Sequence, residues 1–250
     1  MSLDPAGSVA LVTGGAAGIG AGVCRMLAAT GARVMVADLD HAGAMLVADE
    51  IGGRAVACDV SSLAELRAAV AAAVDWGDRL DIVVLNAGID SGFTLEDFDE
   101  AAYRRAMGVN LDGVVFGLAA ALPALRASGG GRVVVLASLA GLAPVPMDPV
   151  YAANKAAVIN FVRSVGPGLL GQGIVVNAVC PGFADTAIVD RVRGFLAAGG
   201  MPLLSVDEVV AAVWTVLASP DAGQAWLVQY GRAVAPYRFG GVPGPAIGPE

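Results

Sequence analysis

Short apolar runs recur along the chain and alternate with segments of helical composition. The runs occupy residues 9–12, 33–37, 55–58, 82–85, 133–137, 174–179 and 225–229. The first six are continuous rather than alternating, as expected for parallel strands that are covered on both faces. The stretches between the runs are rich in Ala, Leu and Val. This order predicts an α/β fold, with one doubly wound parallel sheet of about seven strands and helices on both faces.

The composition narrows the class of protein. A chain of 250 residues, 56% of them hydrophobic, suits a single domain over residues 1–250. The formal net charge of -8 argues against a nucleic-acid partner, which usually requires a basic face. No run of about 18 apolar residues occurs and no basic segment opens the chain, so we expect neither a membrane span nor a signal peptide.

The cysteines and the histidine exclude further kinds of site. Cys24, Cys58 and Cys180 are scattered, odd in number and without metal-ligand spacing, which favours a reducing, cytoplasmic location and no bound metal. The sole histidine, His41, is expected on the surface after the second strand. This disfavours a Ser-His-Asp type of site.

A glycine-rich turn joins the first apolar run to the first helical segment. It reads Thr13-Gly14-Gly15-Ala16-Ala17-Gly18-Ile19-Gly20. Glycines between a strand and a helix N-terminus let the backbone approach a pyrophosphate, whose charge the helix dipole favours. A plain tight turn is the alternative, and the number of glycines in this context makes it the weaker one.

Polar residues follow five of the predicted strands: Asp38, Asp59, Asn86, Ser138 and Pro181 with its neighbours. In open α/β sheets, ligands bind at the carboxyl ends of the strands. Each residue alone is compatible with a turn or capping role. Together with the glycine turn, they favour a shared ligand.

Tyr151 and Lys155 are four residues apart and so lie on one face of a predicted helix. A phenol is a weak acid with a pKa of about 10. An ammonium group beside it favours the phenolate and is expected to lower that pKa. Beside Ser138, the pair is suited to moving a proton to or from an alcohol oxygen.

These motifs resemble those of the short-chain dehydrogenases/reductases over about residues 9–231. The resemblance implies a Rossmann-like fold and reversible hydride transfer between nicotinamide and a secondary alcohol or its ketone. It implies four catalytic residues: Asn110, Ser138, Tyr151 and Lys155. Tyr151 would be the acid/base, Lys155 would hold the nicotinamide ribose, and Asn110 would anchor a water that links Lys155 to solvent.

The same resemblance implies a set of cofactor-binding residues. Besides Tyr151 and Lys155 these are Gly14, Gly18, Ile19, Gly20, Asp38, Leu39, Asp59, Val60, Asn86, Ala87, Gly88, Pro181, Gly182 and Thr186. Asp59 and Val60 would hold the adenine, and Thr186 the nicotinamide carboxamide.

Asp38 predicts NAD rather than NADP as the cofactor. Its carboxylate is placed to accept hydrogen bonds from the ribose hydroxyls and would repel a 2′-phosphate. Neither Ala16 nor Leu39 is basic, and Arg33 begins the strand at its far end. Asp38 as a helix N-cap is the alternative, a role that Asp40 serves as well.

Residues 183–204 predict a mobile lid over the substrate, because they combine glycines and a proline with apolar side chains. The apolar residues of this region either line an apolar substrate pocket or pack on the core, and the sequence does not decide between the two. They are Leu142, Val145, Met147, Ile188, Val189, Phe195, Leu196 and Met201. For Asp90 we favour loop capping over substrate contact.

Assembly is predicted from the apolar helix at 101–125, which carries Val114, Val115, Leu118 and Leu122. Its surplus apolar surface, together with the resemblance, predicts a homotetramer. Pro167 is expected to end or kink a helix that pairs subunits in the family, which leaves a dimer as the alternative. The residues at 229–232 also depart from the family pattern. The tail at 236–250 is rich in Gly and Pro and is expected to be irregular.

Two other functions remain open from the sequence: an NAD-binding regulator without catalysis, and an epimerase or dehydratase. Intact Ser138, Tyr151 and Lys155 disfavour the regulator. The related epimerases and dehydratases usually carry a longer C-terminal substrate domain, for which 250 residues leave little space.

Overall fold

The structure, a computed structural model, describes residues 5–241. One sheet is built from the strands β1 (Val9–Thr13), β2 (Arg33–Asp38), β3 (Arg54–Ala57), β4 (Ile82–Leu85), β5 (Gly131–Leu136), β6 (Ile174–Pro181), β7 (Ala225–Val228) and β8 (Ala235–Pro236). The α-helices are α1 (Gly18–Ala29), α2 (His41–Ile51), α3 (Leu63–Gly77), α4 (Glu100–Met107), α5 (Gly113–Ala127), α6 (Pro149–Leu170), α7 (Arg193–Ala198) and α8 (Val206–Ala218).

The strand order is β3-β2-β1-β4-β5-β6-β7-β8. The first seven strands run parallel, and β8 pairs antiparallel with β7. The order reverses between β1 and β4, which opens a crevice at the carboxyl ends of these strands. The predicted seven-stranded, doubly wound parallel sheet is confirmed.

The short strand β8 was not predicted. It contains Pro236, the first residue of the predicted irregular tail, in a two-residue pairing at the sheet edge. A proline is tolerated there because an edge strand need not donate on its outer side. Residues 237–241 have no regular secondary structure, and residues 242–250 lie outside the described part of the chain.

The core has two layers, one on each face of the sheet. Alternate residues of one strand point to opposite layers: Leu11 packs in the layer with α3, α5 and α6, and Val12 in the layer with α1, α2 and α8. Both residues are at most 1% exposed. This burial on both faces explains why the strands are continuous apolar runs.

A continuous helical stretch joins α4, a π-helical turn at Gly108–Asp112 and α5. By length and composition this stretch, Glu100–Ala127, is apolar enough to cross a membrane, and half of its most apolar window is buried in the fold. A core helix of a globular protein has the same composition. Val114 and Leu118 are buried by this chain itself, and Val115 and Leu122 are half-buried. The surplus apolar surface is therefore smaller than the sequence suggested.

The sequence predicts that Pro167 ends or kinks its helix; the expectation that it ends the helix is wrong, because α6 continues to Leu170, and a kink stays a prediction. The reason lies in packing against the loop before β7. A Cβ on Gly166 would lie 2.5 Å from Gly223 Cα, and Pro167 Cδ also packs against Gly223. The close approach of this loop to Gly166 and Pro167 holds the last turn in place.

Candidate active site

The glycine turn is shaped by its contact with the end of β4. Gly14 and Gly18 have φ of 64° and 53°, which favours glycine. The Asn86 amide donates to Thr13 O at 3.1 Å and to Gly14 O at 2.9 Å. A Cβ on Gly20 would lie 2.6 Å from Asn86 Nδ2 and would also meet Gly14 O. The glycines thus allow β4 to close against the turn.

The N-terminus of α1 has no side-chain cap. Its first backbone N–H groups are thus left to a ligand, and the glycines leave the approach to them open. Thr186 lies on the other side of this approach, since a Cβ on Gly18 would be 3.5 Å from Thr186 Cγ2. These residues fit the pyrophosphate of a dinucleotide.

Asp38 lies at the end of β2, against the glycine turn. Its Oδ2 accepts from Ala16 N and its Oδ1 from Asp40 N, both at 2.9 Å. The N-cap of α2 is Asp40, whose Oδ1 accepts from Gly43 N at 3.0 Å. The capping alternative for Asp38 is therefore wrong. A carboxylate has about four acceptor sites, so capacity for ribose hydroxyls remains.

The two residues predicted to hold the adenine have structural roles. Asp59 Oδ1 accepts from Ser61 N at 2.9 Å and from Ser61 Oγ at 2.7 Å. Val60 is 7% exposed and packs against Gly113. Leu39, by contrast, is 76% exposed. Contact of these three residues with a cofactor stays a prediction.

Lys155, the sole lysine of the chain, is buried inside the site. Its side chain is 3% exposed, and Nζ donates to Leu136 O at 2.8 Å. Burial lowers its pKa to about 8, which the neighbouring Cys180 opposes. Lys155 Nζ is 5.5 Å from the centre of the Tyr151 ring.

Tyr151 differs from the prediction in its acidity. Burial raises its pKa to about 12, a hydrogen bond with Ser138 lowers it, and the charges of Asp148 and Asp90 raise it further. The expected lowering by Lys155 is therefore wrong for this state of the protein. Its ammonium faces Leu136 O, and the loss of water around the phenol outweighs the other effects.

Ser138 stands at the end of β5, between Tyr151 and β6. Its Oγ accepts from Ala140 N at 3.1 Å, as the cap of a short 3-10 turn, and is 3.5 Å from Pro181 O. The long second contact leaves the hydroxyl available for another acceptor, and the phenol of Tyr151 is beside it.

Asn110 lies fully buried in the π-helical turn, an arrangement frequent at functional sites. Its Oδ1 accepts from Ile89 N at 2.9 Å, and its Nδ2 donates to Ile89 O at 2.8 Å. A Cβ on Gly88 would lie 3.3 Å from Asn110 Oδ1 and 3.4 Å from Lys155 Nζ. Asn110 thus holds the loop after β4 beside Lys155, a role that the sequence did not indicate.

A cleft of roughly 700 Å³ opens at this edge of the sheet. Of the predicted residues it is lined by Ile19, Asn86, Gly88, Ser138, Tyr151, Lys155, Pro181, Gly182 and Thr186. Its lining does not include Gly14, Gly18, Gly20, Asp38, Leu39, Asp59, Val60, Ala87 or Asn110. Of these, the glycines belong to the glycine turn, Asp38 binds that turn at Ala16 N, and Asn110 is next to Gly88.

Some of the apolar residues predicted either to line a substrate pocket or to pack on the core do the first, and others do the second. Val145, Met147, Ile188, Val189 and Met201 line the cleft. Leu142 and Leu196 pack on the fold, and Phe195 is 59% exposed. The segment 183–204 is closed at its ends by the bonds of Leu204 N to Phe183 O and of Asp185 N to Leu204 O.

Two polar contacts in the cleft were not predicted. Asp90 lines the cleft and pairs with Arg191 of the segment 183–204 at 3.5 Å, so an ion pair with this segment replaces the favoured loop-capping role. Asp148 caps α6 and binds Ser91 of the loop after β4. The sequence Asp148-Pro149 is a recognisable helix start, but nothing local indicates Ser91. Over residues 5–241, no group of His, Cys, Asp and Glu residues is arranged to hold a metal ion.

The amino-acid sequence is similar to those of known proteins. The family model described as short chain dehydrogenase matches residues 8–195. The chain is 38% identical over 180 residues to galactitol 2-dehydrogenase of Agrobacterium fabrum, covering 71% of this chain and 70% of that protein. It is 38% identical over 188 residues to sorbitol dehydrogenase of Cereibacter sphaeroides, covering 74% and 73%. It is 34% identical over 199 residues to 15-hydroxyprostaglandin dehydrogenase [NAD(+)] of Homo sapiens, covering 75% and 72%. The chain is therefore an oxidoreductase that belongs to the short-chain dehydrogenase family.

Proposed function

We propose that the protein is an NAD-dependent dehydrogenase that interconverts a secondary alcohol and its ketone, with Asn110, Ser138, Tyr151 and Lys155 as its active site. The observation that carries this proposal is the meeting of Ser138, Tyr151 and Lys155 in one cleft beside the glycine turn. A bound nicotinamide supplies the acceptor or donor of the hydride.

Tyr151 is the proposed proton carrier. With a pKa of about 12, its phenol is protonated near neutral pH and is ready to donate to a ketone oxygen. In the reverse direction it must accept the proton of the alcohol, which becomes easier as the cationic Lys155 and a bound oxidised cofactor stabilise the phenolate. The Ser138 hydroxyl orients the substrate oxygen.

Lys155 and Asn110 support this chemistry from behind the cleft. Lys155 is proposed to hold the nicotinamide ribose as well as to stabilise the phenolate. Its pKa of about 8 keeps most of it charged at neutral pH. Asn110 fixes Ile89, next to Gly88, and so holds the loop beside Lys155 in place.

The choice of NAD over NADP is supported by Asp38. Its carboxylate lies against the glycine turn at Ala16 N, where it would repel a 2′-phosphate. Arg33 is at the opposite end of β2 and donates to Gly77 O at 2.6 Å. A relative named as an NAD(+) enzyme is consistent with this choice.

The substrate is proposed to be a secondary alcohol or ketone with an apolar body. The walls beyond Ser138 and Tyr151 are formed mainly by apolar side chains: Phe93, Pro144, Val145, Met147, Phe183, Ile188, Val189, Met201 and Leu204. Two relatives are named for the polyols galactitol and sorbitol. The apolar walls favour a less hydroxylated molecule here, because a polyol would lose water along them and would find partners only at the polar part of the lining, such as Asp90 and Arg191.

We further propose a cytoplasmic homotetramer, with a dimer as the alternative. The three cysteines are free and buried, as suits a reducing compartment. The continuation of α6 through Pro167 keeps the helix that pairs subunits in the family.

The proposal is tested by assaying the purified protein with NAD and a panel of secondary alcohols, and with NADH and the matching ketones. We expect turnover of apolar alcohols of medium size and little or none of sorbitol and galactitol. Binding of NAD without turnover of any alcohol or ketone would instead support a regulator without catalysis.

A further inference from the structure

One carboxylate, that of Asp148, lines the cleft and joins two parts of the chain that are distant in sequence. Its Oδ1 accepts from Tyr151 N at 2.9 Å as the N-cap of α6. The same oxygen accepts from Ser91 Oγ at 2.5 Å, and Oδ2 accepts from Ser91 N at 3.0 Å. Ser91 is 57 residues away in sequence and is 2% exposed.

These contacts exceed what a helix cap requires. A cap needs one acceptor for an N–H of the first turn, and Asn or Ser provides it as well as Asp. The two bonds to Ser91 are charge-assisted, and such bonds are shorter and stronger than neutral ones. They fix the loop after β4 to the turn of α6 that carries Tyr151.

The loop after β4 is held on both sides of Asp90. Asn110 holds Ile89 with two bonds, and Asp148 holds Ser91 with two. Asp90, between them, lines the cleft and pairs with Arg191. The part of the cleft lining that includes Asp90 is therefore held to the same helix turn that carries Tyr151.

The Tyr151 phenol is faced by charged and titratable groups from several elements. Asp148 and Lys155 belong to the same helix as Tyr151, and Ser138 stands at the end of β5. Asp90 comes from the loop after β4, with Arg191 of the segment 183–204 behind it, and Cys180 of β6 lies next to Lys155. Besides burial, which raises the pKa of Tyr151 most, the charges of Asp148 and Asp90 act in the same direction.

We propose that Ser91 and Asp148 form a positioning pair that places the Tyr151 phenol in the cleft through the first turn of α6. The pair acts in two ways. Its hydrogen bonds fix the position of the phenol relative to the loop, and the charge of Asp148 opposes loss of the phenol proton. This inference rests on the proposed role of Tyr151 as the proton carrier.

The variant Asp148→Asn separates the charge from the cap. Asn still accepts from Tyr151 N, but it carries no charge and its NH₂ group cannot accept from Ser91 N. Removing a like charge near an acid lowers the pKa of that acid. The acidic limb of kcat/KM for alcohol oxidation, on which the rate rises as the phenol loses its proton, should therefore move to lower pH by roughly half a unit or more, and kcat should fall severalfold.

Asp99→Asn is the matched control. Asp99 caps α4 by accepting from Ala101 N and Ala102 N, and it is not part of the cleft lining. This variant should leave that limb of the kcat/KM profile at the wild-type pH. An unmoved limb in Asp148→Asn, or an equal shift in Asp99→Asn, would overturn the proposal, because a merely structural cap does not move the limb.

Ser91→Ala tests the hydrogen bonds with the charge kept, and it carries the test if Asp148→Asn does not fold. We expect kcat to fall by about fivefold, as for loss of one modest hydrogen bond of about 1 kcal/mol. The KM for NAD should stay within about twofold, and the limb should not move to lower pH. Wild-type kcat in this variant would overturn the positioning role.

A titration without cofactor or substrate separates failure of this inference from failure of the proposed function. Tyrosine ionisation is followed by ultraviolet absorbance, with Tyr151→Phe subtracted so that the signal of Tyr151 remains. Asp148→Asn should lower the midpoint of Tyr151, and an unchanged midpoint would refute the pair even if the wild-type enzyme is active. If no alcohol is oxidised but the midpoint falls, the proposed function fails and the pair stands.

Discussion

The buried lysine should be visible as a pH dependence of stability. Lys155 is 3% exposed, donates only to a neutral carbonyl, Leu136 O, and has a pKa of about 8 against an ordinary 10.5. The salt bridges of the described residues do not include it. Within residues 5–241, the burial of this cation is thus not balanced by an ion pair with a carboxylate.

The difference between the two pKa values fixes the sign and the size of the effect. Because the pKa is lower in the folded chain, the unfolded chain binds more protons between pH 8 and 10.5. The contribution of Lys155 to the free energy of unfolding therefore rises with pH across this window. The full penalty below pH 8 is of order 3 kcal/mol, and about 2 kcal/mol of it is relieved between pH 7 and 9.5.

Urea unfolding of the wild type and of Lys155→Met at several pH values measures this effect. Met fills similar space without a charge, and loss of the bond to Leu136 O gives an offset that does not change with pH. In the folded chain Tyr151 and Cys180, whose pKa values are about 12, titrate above the window, and their titration in the unfolded chain is common to both proteins and cancels in the comparison. The stability of the wild type relative to Lys155→Met should rise by about 2 kcal/mol from pH 7 to 9.5.

The pKa of Lys155 can also be measured directly, because Lys155 is the sole lysine of the chain. Labelling lysine with ¹³C at Cε gives one side-chain resonance for the whole protein. Its midpoint should lie near pH 8 in the protein without cofactor. A midpoint near 10.5, or parallel pH profiles of stability for the two proteins, would refute the account of Lys155.

Three further predictions concern the cofactor and assembly. Titration should show more than about tenfold tighter binding of NAD than of NADP, the factor that corresponds to about 1.4 kcal/mol of repulsion at Asp38. The double variant Asp38→Ala, Leu39→Arg should relax this preference, and equal binding of NAD and NADP by the wild type would contradict the prediction. Gly20→Ala should abolish NAD binding, because its Cβ would lie 2.6 Å from Asn86 Nδ2. The control Gly168→Ala, in a helix with open space around that position, should instead raise the free energy of unfolding by about 0.5–1 kcal/mol. NAD binding by Gly20→Ala would disprove the packing argument. Light scattering should give a tetramer, and a fully active monomer would contradict a role of assembly in the site.

Much of the fold follows from local sequence. Strands buried on both faces are continuous apolar runs, so β1, β2, β4, β5 and β6 lie within about two residues of the predicted runs. A helix has a fixed period, so the spacing predicts Tyr151 and Lys155 on one face. In the structure, Lys155 Nζ lies 5.5 Å from the centre of the Tyr151 ring. The glycine turn was predicted because strand, glycines and helix are consecutive.

What the sequence did not predict depends on contacts between distant segments. Ser91 and Asp148 are 57 residues apart, and Asn110 and Ile89 meet only because a π-helical turn faces the loop after β4. The continuation of α6 through Pro167 depends on Gly223. The raised pKa of Tyr151 arises from burial, which spacing along a helix does not reveal.

The most direct test of the account is the variant Tyr151→Phe, assayed for both NAD binding and alcohol oxidation. Removal of the phenol oxygen should leave the dissociation constant of NAD within about twofold, while kcat falls by roughly two or more orders of magnitude, the size of a general acid/base contribution. Tyr103→Phe is the control, since Tyr103 packs on Phe98 and is not part of the cleft lining. It should retain wild-type turnover. If Tyr151→Phe retains most of the activity, the proton is carried by another group and the proposed chemistry is wrong.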